Sequence, residues 1–174
     1  MQTFIRFVGV LNAAVWVGAA IFFTVAVGPA FFSAEMHSFL PPAYAGRAAE
    51  VMITRYFLLQ NWCAGVALLH VLLEYVYSER LAEKSTVALI GTFLGISLIG
   101  GFWLEPKLHE LQVIKYSPHT SPAQKAEAAA TFGALHGVSQ GVNLLVIVGL
   151  LCYFWRITRP LAADRFPILE KFKS

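Results

Sequence analysis

Charged residues are scarce in this chain. Only 13% of the 174 residues are Asp, Glu, Lys or Arg, whereas 57% are hydrophobic and the mean hydropathy is +0.64. A soluble domain needs more charge than this to cover its surface. The composition therefore excludes an ordinary soluble domain and indicates a membrane protein.

The motifs of common enzymes and of nucleotide-binding proteins are also missing. The sequence has no HExxH, no CxxC, no nucleophile elbow and no phosphate-binding glycine loop. Its two cysteines, Cys63 and Cys152, lie inside apolar runs, where buried thiols are expected. The net charge of +3 comes from cations between and beyond the apolar runs, so it predicts no nucleic-acid surface. These absences favour a non-enzymatic protein.

Long apolar runs, by contrast, are abundant. A membrane-spanning helix needs about 20 mostly apolar residues, and four segments qualify: 7–31, 56–77, 86–103 and 131–155. The first run is longer than the apolar core of a signal peptide, so we expect it to be retained. The sequence predicts an all-α fold, an integral membrane bundle of four antiparallel transmembrane helices. It forms a single domain over residues 1–174, with 156–174 as a cytoplasmic tail.

The distribution of cations predicts the orientation in the membrane. Eight Lys and Arg residues lie on the side of both termini and five on the other side, and Arg156 and Arg159 directly follow the fourth span. Positive residues accumulate on the cytoplasmic side. We therefore expect both termini in the cytoplasm.

Two of the connections between spans carry local signals. In the first, Pro41 and Pro42 break the chain before a helical stretch that we expect to lie at the membrane interface and to run into the second span. In the last, Pro118 and Pro122 mark turns, and Ser121 is the expected N-cap of an alanine-rich helix leading into the fourth span.

Polar side chains inside the spans form the candidate intramembrane site. In the stretch ALHGVSQGVNLLVIVGLL (residues 134–151), His136, Gln140 and Asn143 stand at i, i+4 and i+7 and share one helix face. This polar face cannot face lipid. Amides and hydroxyls at such positions often act only as interhelical hydrogen-bonding groups. Ionisable groups at this depth are costly, so they favour a functional role, such as a proton-accepting pair. The candidate residues are His136, Ser139, Gln140, Asn143, Gln60, His70, Glu74, Asn12 and Trp16.

Glycines form a second pattern. Gly133, Gly137 and Gly141 repeat every four residues in the fourth span, and Gly91 and Gly95 do so in the third. Small residues at this spacing let neighbouring helices approach closely. We expect these glycines at helix contacts within the bundle.

A metal or haem site is a weaker expectation. His70 and His136 lie at different depths of their spans, about 15–20 Å apart along the membrane normal, so they cannot share one ion. The sequence requires no cofactor, although haem or copper stays an alternative. Soft thioether and imidazole ligands would suit copper. The candidate metal ligands on the side of the membrane opposite the termini are Met36, His37, His109, His119 and His136.

Several short motifs resemble a known family. They are Trp16 and Gly18 with the downstream GPAFF, Gly46 ahead of TRYF, WLEPKL after the third span, and ALHGVSQGVNLL with His136, Ser139 and Asn143. Over about residues 11–155 the chain is similar to the four-helix membrane proteins related to transmembrane protein 205, whose bacterial members carry domain of unknown function 4149. The resemblance implies a four-span fold without an established biochemical activity. The vertebrate member's association with platinum resistance and vesicle membranes makes solute or metal handling the function that the resemblance suggests.

Three functional hypotheses follow. The first is a non-enzymatic membrane protein that handles a small solute or metal, as a homo-oligomer or beside a partner in the lipid bilayer. The second is a redox protein that holds b-type haem or copper. The third is an accessory subunit that docks onto a larger membrane complex.

Overall fold

A computed structural model describes residues 2–78 and 84–159, and within these ranges every regular element is helical. Residues 160–174 of the expected tail and residues 79–83 of the second connection lie outside the described residues. The α-helices are α1 (Gln2–Phe22), α2 (Gly28–Phe31), α3 (Ala34–Phe39), α4 (Pro42–Ser78), α5 (Lys84–Ile99), α6 (Glu105–Tyr116) and α7 (Pro122–Thr158). Two π-helical segments, Phe23–Val27 and Gly100–Leu104, join α1 to α2 and α5 to α6.

Within the described ranges, four helical segments are long and apolar enough to cross a membrane, which agrees with the predicted number of spans and with the all-α class. In chain order, the first to fourth spanning segments are Thr3–Phe39, Pro42–Tyr77, Lys84–Tyr116 and Pro122–Thr158. Each is longer than the sequence predicts. A helix of 37 residues, the length of α4 and of α7, measures about 55 Å, whereas the hydrocarbon core is about 30 Å thick. These helices are therefore much longer than the apolar layer is thick.

The stretch after Pro42, expected at the membrane interface, is the first part of α4 and is continuous with the second spanning segment. The third spanning segment is also longer than expected. It does not end near Trp103 but continues through the second π-helical segment into α6.

Each π-helical segment is followed closely by a proline. Pro29 lies in the first turn of α2 and Pro106 in the first turn of α6. The ring of a proline clashes with the carbonyl four residues earlier and its nitrogen donates no hydrogen bond. Before each proline the helix forms a wider, π-helical turn, in which an N–H donates to the carbonyl five residues earlier. The N–H of Gly28 donates to the Phe23 carbonyl, and the N–H of Glu105 donates to the Gly100 carbonyl. The helix thus passes the proline without ending.

Serine side chains cap two of the helices. Ser33 Oγ accepts a hydrogen bond from the Met36 N–H at the start of α3. Ser121 Oγ accepts from the Gln124 N–H, and Gln124 Oε1 accepts from the Ser121 N–H. This reciprocal pair is a capping box, and it confirms Ser121 as the N-cap of α7.

The centre of the bundle combines small and large side chains. α4 contacts α1 and α5, and α7 contacts α1 and α6. Small side chains such as Ala13 and Ala64 are fully buried and allow α1 to approach α4. The Trp16 indole meets the rings of Phe93 and Tyr153 edge-on, with centroids 5.8 and 6.4 Å apart. α1, α5 and α7 are thereby packed around one aromatic cluster.

Candidate functional site

A hydrogen-bond network joins three helical segments in the bundle. The Tyr56 hydroxyl donates to Asn143 Oδ1 over 3.0 Å, and Asn143 Nδ2 donates to Thr24 Oγ1 over 2.6 Å. Thr24 in turn donates to the Ala20 carbonyl. Asn143 therefore links α7 both to α4 and to the first π-helical segment. The sequence singled out Asn143 but neither of its two side-chain partners.

The Tyr56 end of this network is aromatic and buried. The ring of Phe23 stacks on that of Tyr56, with centroids 4.2 Å apart and planes within 5°. Gln60, one turn after Tyr56 on α4, is buried. A neutral phenol, amide and hydroxyl that satisfy one another hold helices together at small cost, and this network contains no charged group.

Asn12 and Trp16, two further sequence candidates, make packing contacts. Asn12 Nδ2 donates to the Cys63 carbonyl over 2.9 Å, which ties α1 to α4. Trp16 is 1% exposed and lies in the aromatic cluster with Phe93 and Tyr153. Both residues therefore fix the position of α1.

His70 occupies a different environment from these neutral groups. Its side chain is 3% exposed, and neither ring nitrogen has a hydrogen-bond partner among residues 2–78 and 84–159. Glu74, one helical turn later, places Oε1 3.7 Å from Nε2 and is about half exposed. The arrangement is a buried imidazole beside a carboxylate that reaches the surface.

Gly9 makes room for this imidazole. A Cβ on Gly9 would lie 2.3 Å from His70 Nε2 and 2.4 Å from Cδ2, far inside van der Waals contact. The ring therefore packs directly against the backbone of α1. No larger residue fits at Gly9 unless His70 moves.

His136 lies apart from Asn143 and belongs to another group. Its Nε2 is 3.0 Å from Gln140 Nε2, and Ser139 Oγ donates to its backbone carbonyl. Its ring stacks with that of Phe132 and contacts that of Phe32, at centroid distances of 5.7 and 6.0 Å. Apart from Asn12 and Trp16, the polar candidates of the sequence thus divide into three groups: the Asn143 network, the His70–Glu74 pair and the half-buried His136 group.

The expected glycine contacts are wrong for the third and fourth spanning segments. Among the described residues, no atom of another helix lies within 4 Å of a Cβ built on Gly91, Gly95, Gly133, Gly137 or Gly141. Close approach occurs instead at other glycines. A Cβ on Gly100 would lie 2.4 Å from the Phe57 ring, and one on Gly149 would lie 2.5 Å from the Phe93 ring. Helical spacing shows which residues share a face, but not which face meets a neighbour.

The outer metal candidates do not converge in the described part of the chain. Within residues 2–78 and 84–159 there is no group of three or more His, Cys, Asp and Glu side chains that could hold a metal ion. His109 contacts Glu50, and His136 contacts Gln140. His119 lines a cleft of about 590 Å³ between α6 and α7, and His37 lies on α3.

A charged cluster between α4 and α6 was not predicted from the sequence. Glu50 Oε2 is 2.7 Å from Arg47 Nη1, and Glu50 Oε1 is 3.0 Å from His109 Nδ1. One turn along α4, the Thr54 hydroxyl donates to Glu105. The spacing of Arg47, Glu50 and Thr54 at i, i+3 and i+7 is the signal that places them on one face. These contacts tie the extended parts of α4 and α6 together.

The chain was compared with models of known protein families. The family described as domain of unknown function (DUF4149) matches residues 11–117. The chain belongs to this family. No curated protein and no solved structure matches it, so the resemblance to transmembrane protein 205 rests on the short sequence motifs alone.

The match places part of the candidate site inside the DUF4149 region. The His70–Glu74 pair, Tyr56 and both π-helical segments lie within residues 11–117, whereas Asn143 and His136 lie beyond them. Family membership assigns no activity, since the function of DUF4149 is unknown. Of the three polar groups, the His70–Glu74 pair is the one in which a buried imidazole stands beside a carboxylate.

Proposed function

We propose that this DUF4149 protein is a non-enzymatic, single-domain integral membrane protein with four antiparallel spans and both termini in the cytoplasm. The order of contacts between α1 and α4 supports the antiparallel arrangement, because Gly9 meets His70, Asn12 meets Cys63 and Phe23 meets Tyr56. Arg6 and Arg159 come together at one end of the bundle, as the positive-inside rule expects on the cytoplasmic side. The first turns of α4 then lie at the opposite interface.

The proposed function is the handling of a small solute, with the His70–Glu74 pair as its proton-binding group. The observation that carries this proposal is the buried imidazole of His70, whose ring nitrogens have no hydrogen-bond partner in the described residues and whose Nε2 lies 3.7 Å from Glu74 Oε1. An ionisable side chain at membrane depth is costly and is usually retained for a functional reason. Glu74 is half exposed and gives a proton a route from the surface to Nε2.

The packing of the bundle limits which solute can pass. Trp16, Tyr153 and Leu150 fill the centre and are at most 1% exposed, which leaves little room for a larger molecule between the helices. A proton moves along hydrogen-bonding groups and needs no open pore. A larger solute would need a path formed with a second copy or with a partner protein.

Proton flux into proteoliposomes tests this function. Vesicles loaded with a pH-sensitive dye and carrying an imposed potassium diffusion potential should acidify faster with the protein than without it. His70→Gln should reduce the rate to that of empty vesicles, because glutamine cannot take up the proton. His119→Gln is the matched control, since His119 is exposed on the loop before α7, and it should leave the rate unchanged.

Two results would overturn the proposal. One is a rate no higher than that of empty vesicles, and the other is an unchanged rate in His70→Gln. Circular dichroism and gel filtration of both variants confirm that each remains folded.

A specific observation favours the accessory subunit as the second candidate. Gly133, Gly137 and Gly141 meet no described atom of the chain, and Val138 and Leu145 near them are about 70% exposed. Such a face can receive a helix of a partner or of a second copy. Co-purification of a fixed partner, lost in Gly137→Leu, would support this candidate, and a monomer in both proteins would exclude it.

A further inference from the structure

The aromatic cluster at the centre of the bundle contains two polar atoms that no described contact satisfies. Trp16 and Tyr153 are each 1% exposed, yet the indole Nε1 and the phenol oxygen have no hydrogen-bond partner within residues 2–78 and 84–159. Buried polar groups are costly without a partner, and ordered water commonly supplies one. Two such atoms in one cluster therefore indicate a site for a small hydrogen-bonding ligand.

The surroundings of these two atoms favour a neutral ligand. The buried residues that pack with Trp16 and Tyr153 are all uncharged in the described part of the chain. An ion in such an environment would lose its hydration without gaining an opposite charge. Water carries no charge, and it can accept from the indole N–H while it exchanges hydrogen bonds with the phenol.

The two atoms lie between two polar residues of α4. His70 and Gln60 are both buried and are ten residues apart, which is about 15 Å along the helix. Between them Ala67 faces the centre and packs in the same buried cluster as Trp16 and Tyr153. Because alanine has no polar side-chain atom, the indole and the phenol are polar groups that α1 and α7 add at this depth.

Along α1, the polar groups of the other helices follow one another at nearly equal steps. The contacts, in order, are Gly9 with His70, Trp16 with Tyr153, and Thr24 with Asn143. The steps of seven and eight residues correspond to about 10 and 12 Å along a helix. The pair formed by the indole and the phenol therefore stands midway between the His70–Glu74 pair and the Asn143 network.

On α4, polar side chains extend across most of the thickness of a bilayer. Glu74 and Tyr56 are eighteen residues apart, which is about 27 Å along the helix, and the hydrocarbon core is about 30 Å thick. Gln60 lies within hydrogen-bonding reach of the Tyr56 hydroxyl, which donates to Asn143. The unsatisfied indole and phenol fill the interval between Gln60 and the His70–Glu74 pair.

We propose that Trp16 Nε1 and the Tyr153 hydroxyl bind buried water, and that this water connects the His70–Glu74 pair with the Asn143 network. The indole N–H donates to the water and orients it, whereas the phenol both accepts and donates. A proton that the phenol oxygen takes from one water is balanced by the hydroxyl's own proton, which passes to the next, so Tyr153 ends unchanged. The connection rests on the proposed proton handling by His70, but the water site itself does not.

Water-edited solid-state NMR tests the water site, with protein labelled at tryptophan nitrogen and reconstituted in lipid. An indole signal grows quickly in this measurement when water lies beside the N–H. The Trp16 signal should grow quickly and that of Trp62 should not. Trp62 is the matched control, because it is 68% exposed on the outside of the bundle and precedes Cys63, whose carbonyl bonds to Asn12 one turn before Trp16.

The four tryptophans can be assigned without changing the core. Phenylalanine variants remove one exposed indole at a time, and the signal that remains in all of them belongs to Trp16. The exposed tryptophans are Trp62, Trp103 and Trp155.

Tyr153→Phe tests the connection, because it removes the phenol oxygen and keeps the ring. It should slow the growth of the Trp16 signal and lower the proteoliposome proton flux toward that of empty vesicles. Tyr44→Phe is the control, since Tyr44 is 66% exposed near the start of α4, and it should change neither. Thermal unfolding of both variants checks that each remains folded.

Each outcome bears on a different part of the proposal. A Trp16 N–H as dry as that of Trp62 would overturn the water site, because the indole would then donate to the face of a neighbouring ring. Wild-type flux that Tyr153→Phe leaves unchanged would overturn the connection and leave His70 as the proton-binding group. A hydrated Trp16 in a protein without proton flux would support the water site and overturn the proposed function.

Discussion

The Tyr56 hydroxyl donates a hydrogen bond to Asn143 Oδ1 over 3.0 Å. The bond connects residues 87 positions apart in the sequence and joins the second spanning segment to the fourth. The Asn143 amide uses its other end to reach Thr24 in the first. One side chain thus links three spanning segments by hydrogen bonds.

Tyr56→Phe and Asn143→Ala should therefore be energetically coupled. Each removes the same hydrogen bond, so the double variant should be more stable than the sum of the two single effects predicts, by about 0.6 kcal/mol and at most about 1.7 kcal/mol. Unfolding in mixed micelles measures the three variants. Thr92→Val is the control, since the Thr92 hydroxyl donates to the carbonyl of Ala88 within its own helix. Strictly additive effects would mean that the bond does not form in the membrane.

Gly9→Ala should destabilise the contact between α1 and α4. The new methyl group would lie 2.3 Å from His70 Nε2, and overpacking of this kind costs about 1–3 kcal/mol. The thermal midpoint in detergent should fall. Gly18→Ala is the control on the same helix, because its Cβ would meet no described atom within 4 Å, and alanine is up to about 1 kcal/mol better than glycine within a helix. Equal midpoints for the two variants would contradict the placement of His70 against α1.

Gly137→Leu should leave the stability of the single chain unchanged, whereas Gly149→Leu should lower it. A side chain at Gly149 would collide with the Phe93 ring, but one at Gly137 meets open space in the described structure. Thermal unfolding of monomeric protein in detergent compares the two. A large loss of stability in monomeric Gly137→Leu would mean that the glycine face of α7 packs inside the bundle after all.

Much of the fold could be predicted from the sequence because it depends on local properties. Apolar length alone identifies the four spans, and the Ser121 cap depends on residues within one turn. The rotation of each helix is not local. α7 turns Val146, Leu150 and Tyr153 inward, and this choice depends on the shapes of all neighbouring helices.

The candidate site likewise contains residues that the sequence identifies and residues that it does not. Spacing identified Asn143, His70 and Glu74, since polar groups in an apolar run are visible in the sequence. The partners Tyr56 and Thr24 were missed. A tyrosine at the start of a span resembles an ordinary interfacial residue, and the hydroxyl of Thr24 ordinarily satisfies itself on its own helix.

The π-helical segments could not be predicted at all. Their position depends on how the chain accommodates Pro29 and Pro106. Each π-helical segment has only five residues, which is too short for its wider turn to show in the spacing of apolar residues. The prolines mark the region but do not determine whether the helix kinks, ends or widens.

The most direct measurement is nitrogen NMR of protein labelled at histidine and reconstituted in lipid, followed from about pH 8 to about pH 5, the range in which histidine ordinarily changes charge. The His70 signal is identified as the one that the His70→Gln variant lacks. It should change from the neutral to the protonated form within this pH range. Glu74→Gln should move that transition, because the carboxylate oxygen lies 3.7 Å from Nε2. A His70 signal that remains neutral throughout would contradict a proton-binding role and leave the imidazole as a packing group against Gly9.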